Sequence, residues 1–203
     1  IGCSGGISTN YNGLGNVYEK QNEPLKAIDI YKKSLKLNRI LDDRRGEGYT
    51  KINMGIAYQN SNQDNKAIRS HKLALKIFEE VEDEYGKAHA YSNLGIYYSS
   101  IKHDLDKALE YYQKCLSIRE LINNKSGMAN ALYGIGFNYL RRRDNKNALI
   151  HFKRSLKLSI KLKLTHLRLN TLNMMYFVYY EAGNYKLVFK HAPTLLDLCT
   201  ETR

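Results

Sequence analysis

Apolar residues recur three and four apart in stretches of about four turns, each stretch closed by a short polar break. This spacing predicts amphipathic helices, and the alternation of stretch and break predicts that they come in pairs. First helices open at the glycines Gly6, Gly46, Gly86 and Gly127. Breaks such as Gln21-Asn22-Glu23 and Arg143-Asp144 then lead into second helices. Asp104, Asp144 and Asn184 are the expected N-caps there, and Pro24 takes a first helical position, where its missing N–H costs nothing. The chain is therefore expected to be all-α, built from about five helix-turn-helix units.

The pairs repeat in sequence as well as in pattern. Leu14-Gly15-Asn16-Val17-Tyr18, Met54-Gly55-Ile56-Ala57-Tyr58, Leu94-Gly95-Ile96-Tyr97-Tyr98 and Ile135-Gly136-Phe137-Asn138-Tyr139 follow one another at offsets of 40, 40 and 41. Ala27, Ala67, Ala108 and Ala148 mark the second helices, and Leu35, Leu75, Leu116 and Leu156 follow eight residues later. The glycine and alanine are read as small residues where two helices cross closely, and the tyrosines as filling between successive units. The units expected are 6–45, 46–85, 86–126, 127–166 and a degenerate 167–203, in one array. In the last, Leu167 stands for the opening glycine, Val188 replaces the alanine, and Pro193 is expected to end or kink the second helix near Ala192. Ile1 aligns with Leu41, Val81 and Ile122, so the chain reads as a fragment that starts in mid-architecture, and an upstream signal or anchor stays open.

The motif L-G-x-x-Y in first helices and K-A-x-x-x-[YHF]-x-x-[SAC]-L in second helices resembles the tetratricopeptide repeat in its longer, forty-residue variety. The second motif stands as Lys26-Ala27, Tyr31 and Ser34-Leu35; as Lys66-Ala67, His71 and Ala74-Leu75; and as Lys107-Ala108, Tyr112 and Cys115-Leu116. In the fourth copy Phe152, Ser155 and Leu156 match while Asn147 replaces the lysine. The repeat length is similar to that of kinesin light chain, Pins-type adaptors and bacterial sensor-regulators. The resemblance implies a right-handed superhelix, an α-solenoid whose first helices line a concave groove. It also implies a non-catalytic scaffold that binds a peptide or helix of another protein, as the interaction or sensory segment of a signalling or regulatory protein.

On that geometry the groove would be lined by Asn12, Asn16, Ile52, Asn53, Ile56, Ser92, Asn93, Ile96, Tyr133, Phe137, Asn173 and Phe177. Asn53 and Asn93 resemble the asparagines of long-repeat adaptors, whose amides both donate to and accept from a ligand backbone. Ile56, Ile96, Tyr133 and Phe137 would select its side chains. The carboxylate clamp of chaperone-binding members is not matched. Asn16 and Asn53 fit its asparagines, but its cationic positions hold Asn12, His89 and Asn93.

Composition narrows the remaining classes. Of 203 residues 43% are apolar, enough to bury a core. The longest apolar run, Met174 to Tyr180, is far shorter than the roughly 20 residues a bilayer span needs. Cysteines at 3, 115 and 199 form no CxxC pair and read as reduced thiols, which favours the cytoplasm. The net charge of +12 is uneven: residues 1–100 carry 14 Lys and Arg against 12 Asp and Glu, and residues 101–203 carry 18 against 8. Arg141, Arg142, Arg143, Lys146, Lys153, Arg154, Lys157, Lys161, Lys163 and Arg168 form a belt whose only acid is Asp144. The alternative function is thus binding of nucleic acid or an anionic surface through residues 141–168, although no aromatic stacking set accompanies the belt.

Catalytic and cofactor signals are weak. Gly2-Cys3-Ser4-Gly5-Gly6 matches G-x-S-x-G, but that chemistry needs a strand entering the turn, and the segment aligns with the inter-repeat loops at 42–46, 82–86 and 123–127. Gly13-Leu14-Gly15 and Gly134-Ile135-Gly136 lack the third glycine of a dinucleotide site. The six histidines sit at no metal-ligand spacing, and His71 falls in an aromatic packing slot. No cofactor, metal or enzymatic activity is expected.

Overall fold

A computed structural model describes residues 2–189, with side chains from residue 10 onward. Nine helices occupy that span: α1 Gly2–Lys20, α2 Pro24–Ile40, α3 Arg44–Asn60, α4 Asp64–Glu80, α5 Glu84–Ser100, α6 Leu105–Leu121, α7 Lys125–Arg141, α8 Asn145–Lys161 and α9 Thr165–Glu181. Residues 185–189 are again helical. There is no strand among the described residues. Two compact units divide the chain between Lys102 and His103.

In the first unit, α1 pairs with α2 and α3 with α4, while α2 also packs on α3 and α4 on α5. The first helices α1, α3 and α5 also touch in succession, whereas α2 and α4 do not approach each other. The unit therefore has a tight layer of first helices and a splayed layer of second helices. In the second unit α6, α7, α8 and α9 pack in sequence, and α7 touches α9.

Side-chain caps set the starts of α3, α5, α6, α7 and α8. Asp104 accepts from the Lys107 N–H and Asp144 from the Asn147 N–H, both at 3.1 Å. Pro24 opens α2, and the Leu187 N–H reaches Asn184 Oδ1 at 3.4 Å. The first helices begin earlier than their glycines suggest. Asp43, Asp83 and Asn124 cap α3, α5 and α7 by accepting from the N–H of Gly46, Gly86 and Gly127. Each such helix thus starts two residues before its glycine. Likewise α1 begins at Gly2, so residues 2–6 are helical rather than a loop. The expected kink at Pro193 and Ala192 lies outside the described residues.

Helix ends share one device. Asn22, Asp42, Asn62, Glu82, His103, Asn123, Arg143, Lys163 and Gly183 all have φ between 52° and 67°. At the first of these the Asn22 N–H bonds Glu19 O and the Glu23 N–H bonds Tyr18 O, which satisfies the carbonyls left over at the helix end. A left-handed residue with a Cβ costs roughly 1–2 kcal/mol, less for Asn and Asp. Replacing Glu82, Arg143 or Lys163 by glycine is therefore expected to stabilise the fold by up to about 1 kcal/mol each, after the entropy glycine adds to the unfolded chain. A rise in urea midpoint with unchanged m is the readout.

The landmark glycines make room for rings. A Cβ on Gly15 would lie 2.2 Å from the Tyr31 ring, one on Gly55 2.3 Å from His71, and one on Gly136 2.7 Å from Phe152. An aromatic side chain of the second helix thus fills the space at each of these glycines, and at Gly136 the Ala148 carbonyl of the second helix would also stand 3.2 Å from the added Cβ, in keeping with a close crossing at the glycine and alanine. Tyr31, His71, Tyr112 and Phe152 are all buried at equivalent positions.

Interfaces between successive repeats differ in chemistry. Between α1–α2 and α3, the fully buried Thr50 hydroxyl accepts from Asn38 Nδ2 at 3.0 Å and Asn12 Nδ2 at 3.1 Å, and donates to Gly46 O at 2.9 Å. Between α3–α4 and α5 the contact is apolar, with Phe78 against Ile52, Ala74 and Ala90 and its ring 4.9 Å from Tyr49.

Candidate functional site

Within each unit, successive first helices touch and carry aligned residues one repeat apart. In the first unit, Asn53 and Ile56 on α3 correspond to Asn93 and Ile96 on α5, one repeat later. Ile96 is 44% exposed, while Ile56 is half-buried against the core around Phe78. The two helices offer apolar surface and amides together.

The amides are not equivalent. Asn53 is half-buried and makes no hydrogen bond among the described residues, so its donor and acceptor are both unspent. Asn93 Nδ2 donates to His89 O at 2.9 Å, within its own helix. Asn16 Oδ1 accepts from the Tyr31 hydroxyl at 2.6 Å. Asn12 bonds Thr50 and ties α1 to α3. Ile52 is buried in the core and offers no surface. Ser92 is half-buried.

In the second unit the equivalent face is aromatic. Tyr133 and Phe137 on α7 stack with ring centroids 6.5 Å apart and planes 18° apart. Both rings are half-buried against the core of Ala148, Phe152, Met175 and Tyr179. Burial pushes the Tyr133 hydroxyl up from its ordinary titration range, so it stays a neutral donor. Phe177 on α9 is 51% exposed and Asn173 is exposed as well.

Two shallow depressions, of about 460 and 440 Å³, lie away from these faces. One is lined by Lys32, Leu35, Lys36, Arg39 and Ile40 along α2, the other by residues 62–66 and Lys102.

The basic belt is not uniform. Arg142 pairs with Asp106 at 2.7 Å and Arg154 with Glu120 at 3.8 Å. Arg141 meets His103 Nδ1 at 3.0 Å, and Arg143 occupies a helix-ending turn. Arg168 is half-buried and Lys163 forms the next turn. Lys146, Lys153, Lys157 and Lys161 remain exposed on α8. That helix contains no acid at all.

Among the described residues, no three His, Cys, Asp or Glu side chains converge as a metal site, and no helix is long and apolar enough to cross a membrane. Residues 2–6 lie in the first turns of α1, without the strand-to-helix turn that a nucleophile elbow requires. His71 is fully buried; its Nε2 meets Gln59 Oε1 at 3.1 Å and its Nδ1 has no partner. Burial pushes its pKa down to about 4.

A family model described as tetratricopeptide repeat matches residues 6–80 and 47–121. No curated protein sequence gives a match. Among solved structures, the fold is similar to BtubC (BKLC) from P. vanneervenii, with TM-score 0.84 and 19% identity over 98% of this chain and 82% of that one. It is also similar to aspartyl phosphate phosphatase F from Bacillus subtilis, with TM-score 0.83 and 18% identity over 95% of this chain and 50% of that one. A Rap protein complexed with Competence and Sporulation Factor gives TM-score 0.82 and 18% identity over 94% and 53%. The chain thus spans about half the length of the latter two. Identities this low show the fold alone.

Proposed function

The chain belongs to the tetratricopeptide repeat family, and on that premise we propose that it is a non-catalytic scaffold that holds a peptide or helix of a partner protein on its first-helix face. One observation carries the reading. The Asn53 amide is unspent one turn from the part-exposed Ile56, and the aligned Ile96 on the neighbouring helix α5 is 44% exposed. An amide that both donates and accepts can hold a ligand's backbone whatever its sequence, and the isoleucines then discriminate among side chains. The second unit, by itself, offers Tyr133, Phe137 and Phe177, side chains of the aromatic type that dominates binding energy at interfaces. A Rap protein of similar fold has been solved with Competence and Sporulation Factor, which lends the reading support by analogy of fold.

The test uses peptides selected from a displayed random library against the whole chain. Replacing Asn53 and Asn93 together by alanine is expected to lower the affinity of the selected peptides at least about tenfold, a loss in the range of truncated polar anchors. Helical content and melting temperature should hold, because neither amide joins one helix to another. Selected peptides that bind the double variant as well as the parent would refute the assignment, and so would a selection that enriches nothing.

A further inference from the structure

We propose that the outer face of α8 is a second docking surface, separate from the first-helix face, and that it receives an acidic amphipathic segment of a partner protein. Six residues form the stripe: Lys146, Ile150, Lys153, Lys157, Ile160 and Lys161. At about 100° per residue they fall within one quarter to one third of the helix circumference. Ile150 is 46% and Ile160 51% exposed, and the four lysines are exposed. Lys153, Lys157 and Lys161 form no ion pair among the described residues, and stand four apart, where like charges repel along a helix.

The repeat supplies an internal control. The aligned positions of α6 hold Asp106 for Lys146, Glu110 for Ile150 and Glu120 for Ile160. The fold therefore requires neither lysine nor isoleucine at these positions. On α6 the charges are moreover compensated locally, as Lys107 pairs with Asp104 and Lys114 with Glu110. On α8 the acid-free stripe is left uncompensated.

The mixed chemistry of the stripe identifies the occupant. A duplex nucleic acid or an anionic bilayer would meet the lysines but would leave the exposed Ile150 and Ile160 against a charged, hydrated surface. A single polypeptide helix fits. Its carboxylates, spaced four residues apart, would run along lysines about 6 Å apart, and its aliphatic side chains would cover the two isoleucines. The charges would steer and orient the partner while the isoleucines supply the burial.

The probe is a synthetic amphipathic helix with glutamates four residues apart and leucines between them, titrated into the whole chain. A duplex DNA and vesicles rich in phosphatidylserine are titrated in parallel. Lys157→Glu is expected to weaken binding of the acidic helix about tenfold or more. The variant's own melting temperature should hold or rise, because a carboxylate at that position would pair with Lys153 and Lys161. The double variant Ile150→Ala with Ile160→Ala is expected to weaken binding about tenfold without changing its salt dependence. Replacing Asn53 and Asn93 should leave it untouched, which keeps this surface distinguishable from the first-helix face. Tighter binding of the DNA or the vesicles would overturn the proposal. So would an acidic helix that fails to bind, or one indifferent to the isoleucine changes.

Discussion

Phe152→Ala is expected to lower the unfolding free energy by about 3–5 kcal/mol, the largest single loss foreseen in this chain. Phe152 is fully buried at the centre of the second unit's core, among Ala148, Met175 and Tyr179. Its ring faces Tyr133 at 5.8 Å between centroids and lies against the backbone at Gly136. Truncation forfeits the transfer energy of the ring and leaves a cavity whose glycine wall has no side chain to swing in. Tyrosine at the same position should be far milder, since Tyr31 and Tyr112 occupy it in other repeats. Urea unfolding followed by helical signal measures both variants. A loss below about 2 kcal/mol for the alanine variant would show that the site collapses onto itself, and that the ring-on-glycine packing matters less than described.

The second large effect depends on pH. His71 occupies that same slot in its own repeat, packed over Gly55, and burial lowers its pKa from about 6.5 to about 4. Above pH 6.5 the imidazole is neutral in both folded and unfolded chains, so it gives no pH dependence. As pH falls below 6.5 the unfolded chain takes up a proton that the folded chain refuses, and stability is lost until about pH 4. The full difference corresponds to about 3 kcal/mol. His151 adds to the same trend, its pKa lowered by burial and then by Arg154. His71→Phe removes the larger part of this slope and should leave stability at pH 7 little changed, although Gln59 loses its partner. Urea midpoints at pH 7, 6 and 5 test the sign. A parent whose stability is flat over that range would contradict the buried neutral imidazole.

The fold is legible in the sequence because the forty-residue recurrence of small and aromatic landmarks reports packing constraints that every repeat must satisfy. Helix type, the turns at 21–23 and 142–144 and the caps Asp104 and Asp144 all follow from local chemistry. Starts of the first helices are less legible. The glycine suggests a helix opening, whereas it is the third helical residue, whose N–H the capping side chain binds. The pattern D-x-x-G and N-x-x-G, present at Asp43, Asp83 and Asn124, is the signal available for it.

The candidate site divides along a physical line. Periodicity tells which face a residue occupies, but not whether its polar group is already satisfied by a distant one. Asn12 and Thr50 are 38 residues apart and Asn16 and Tyr31 are 15 apart, so nothing in the local pattern announces that those amides are engaged. Nor does it distinguish Ile52, buried beneath Phe78, from Ile56 one turn further on, which keeps part of its surface. Asn53 stands out only once the bonds of its neighbours are counted.

The contrasting interfaces make the order of the repeats part of the code. The turns at 41–43 and 81–83 are alike enough that excising residues 44–83 would rejoin the chain without straining it. The splice would nevertheless set Asn38, now bonded to the Thr50 hydroxyl, against Ala90, whose methyl offers it nothing. Modules interchangeable in shape are thus kept in sequence by mismatched chemistry, and shuffled or shortened versions of this array will assemble poorly unless those buried partners travel together.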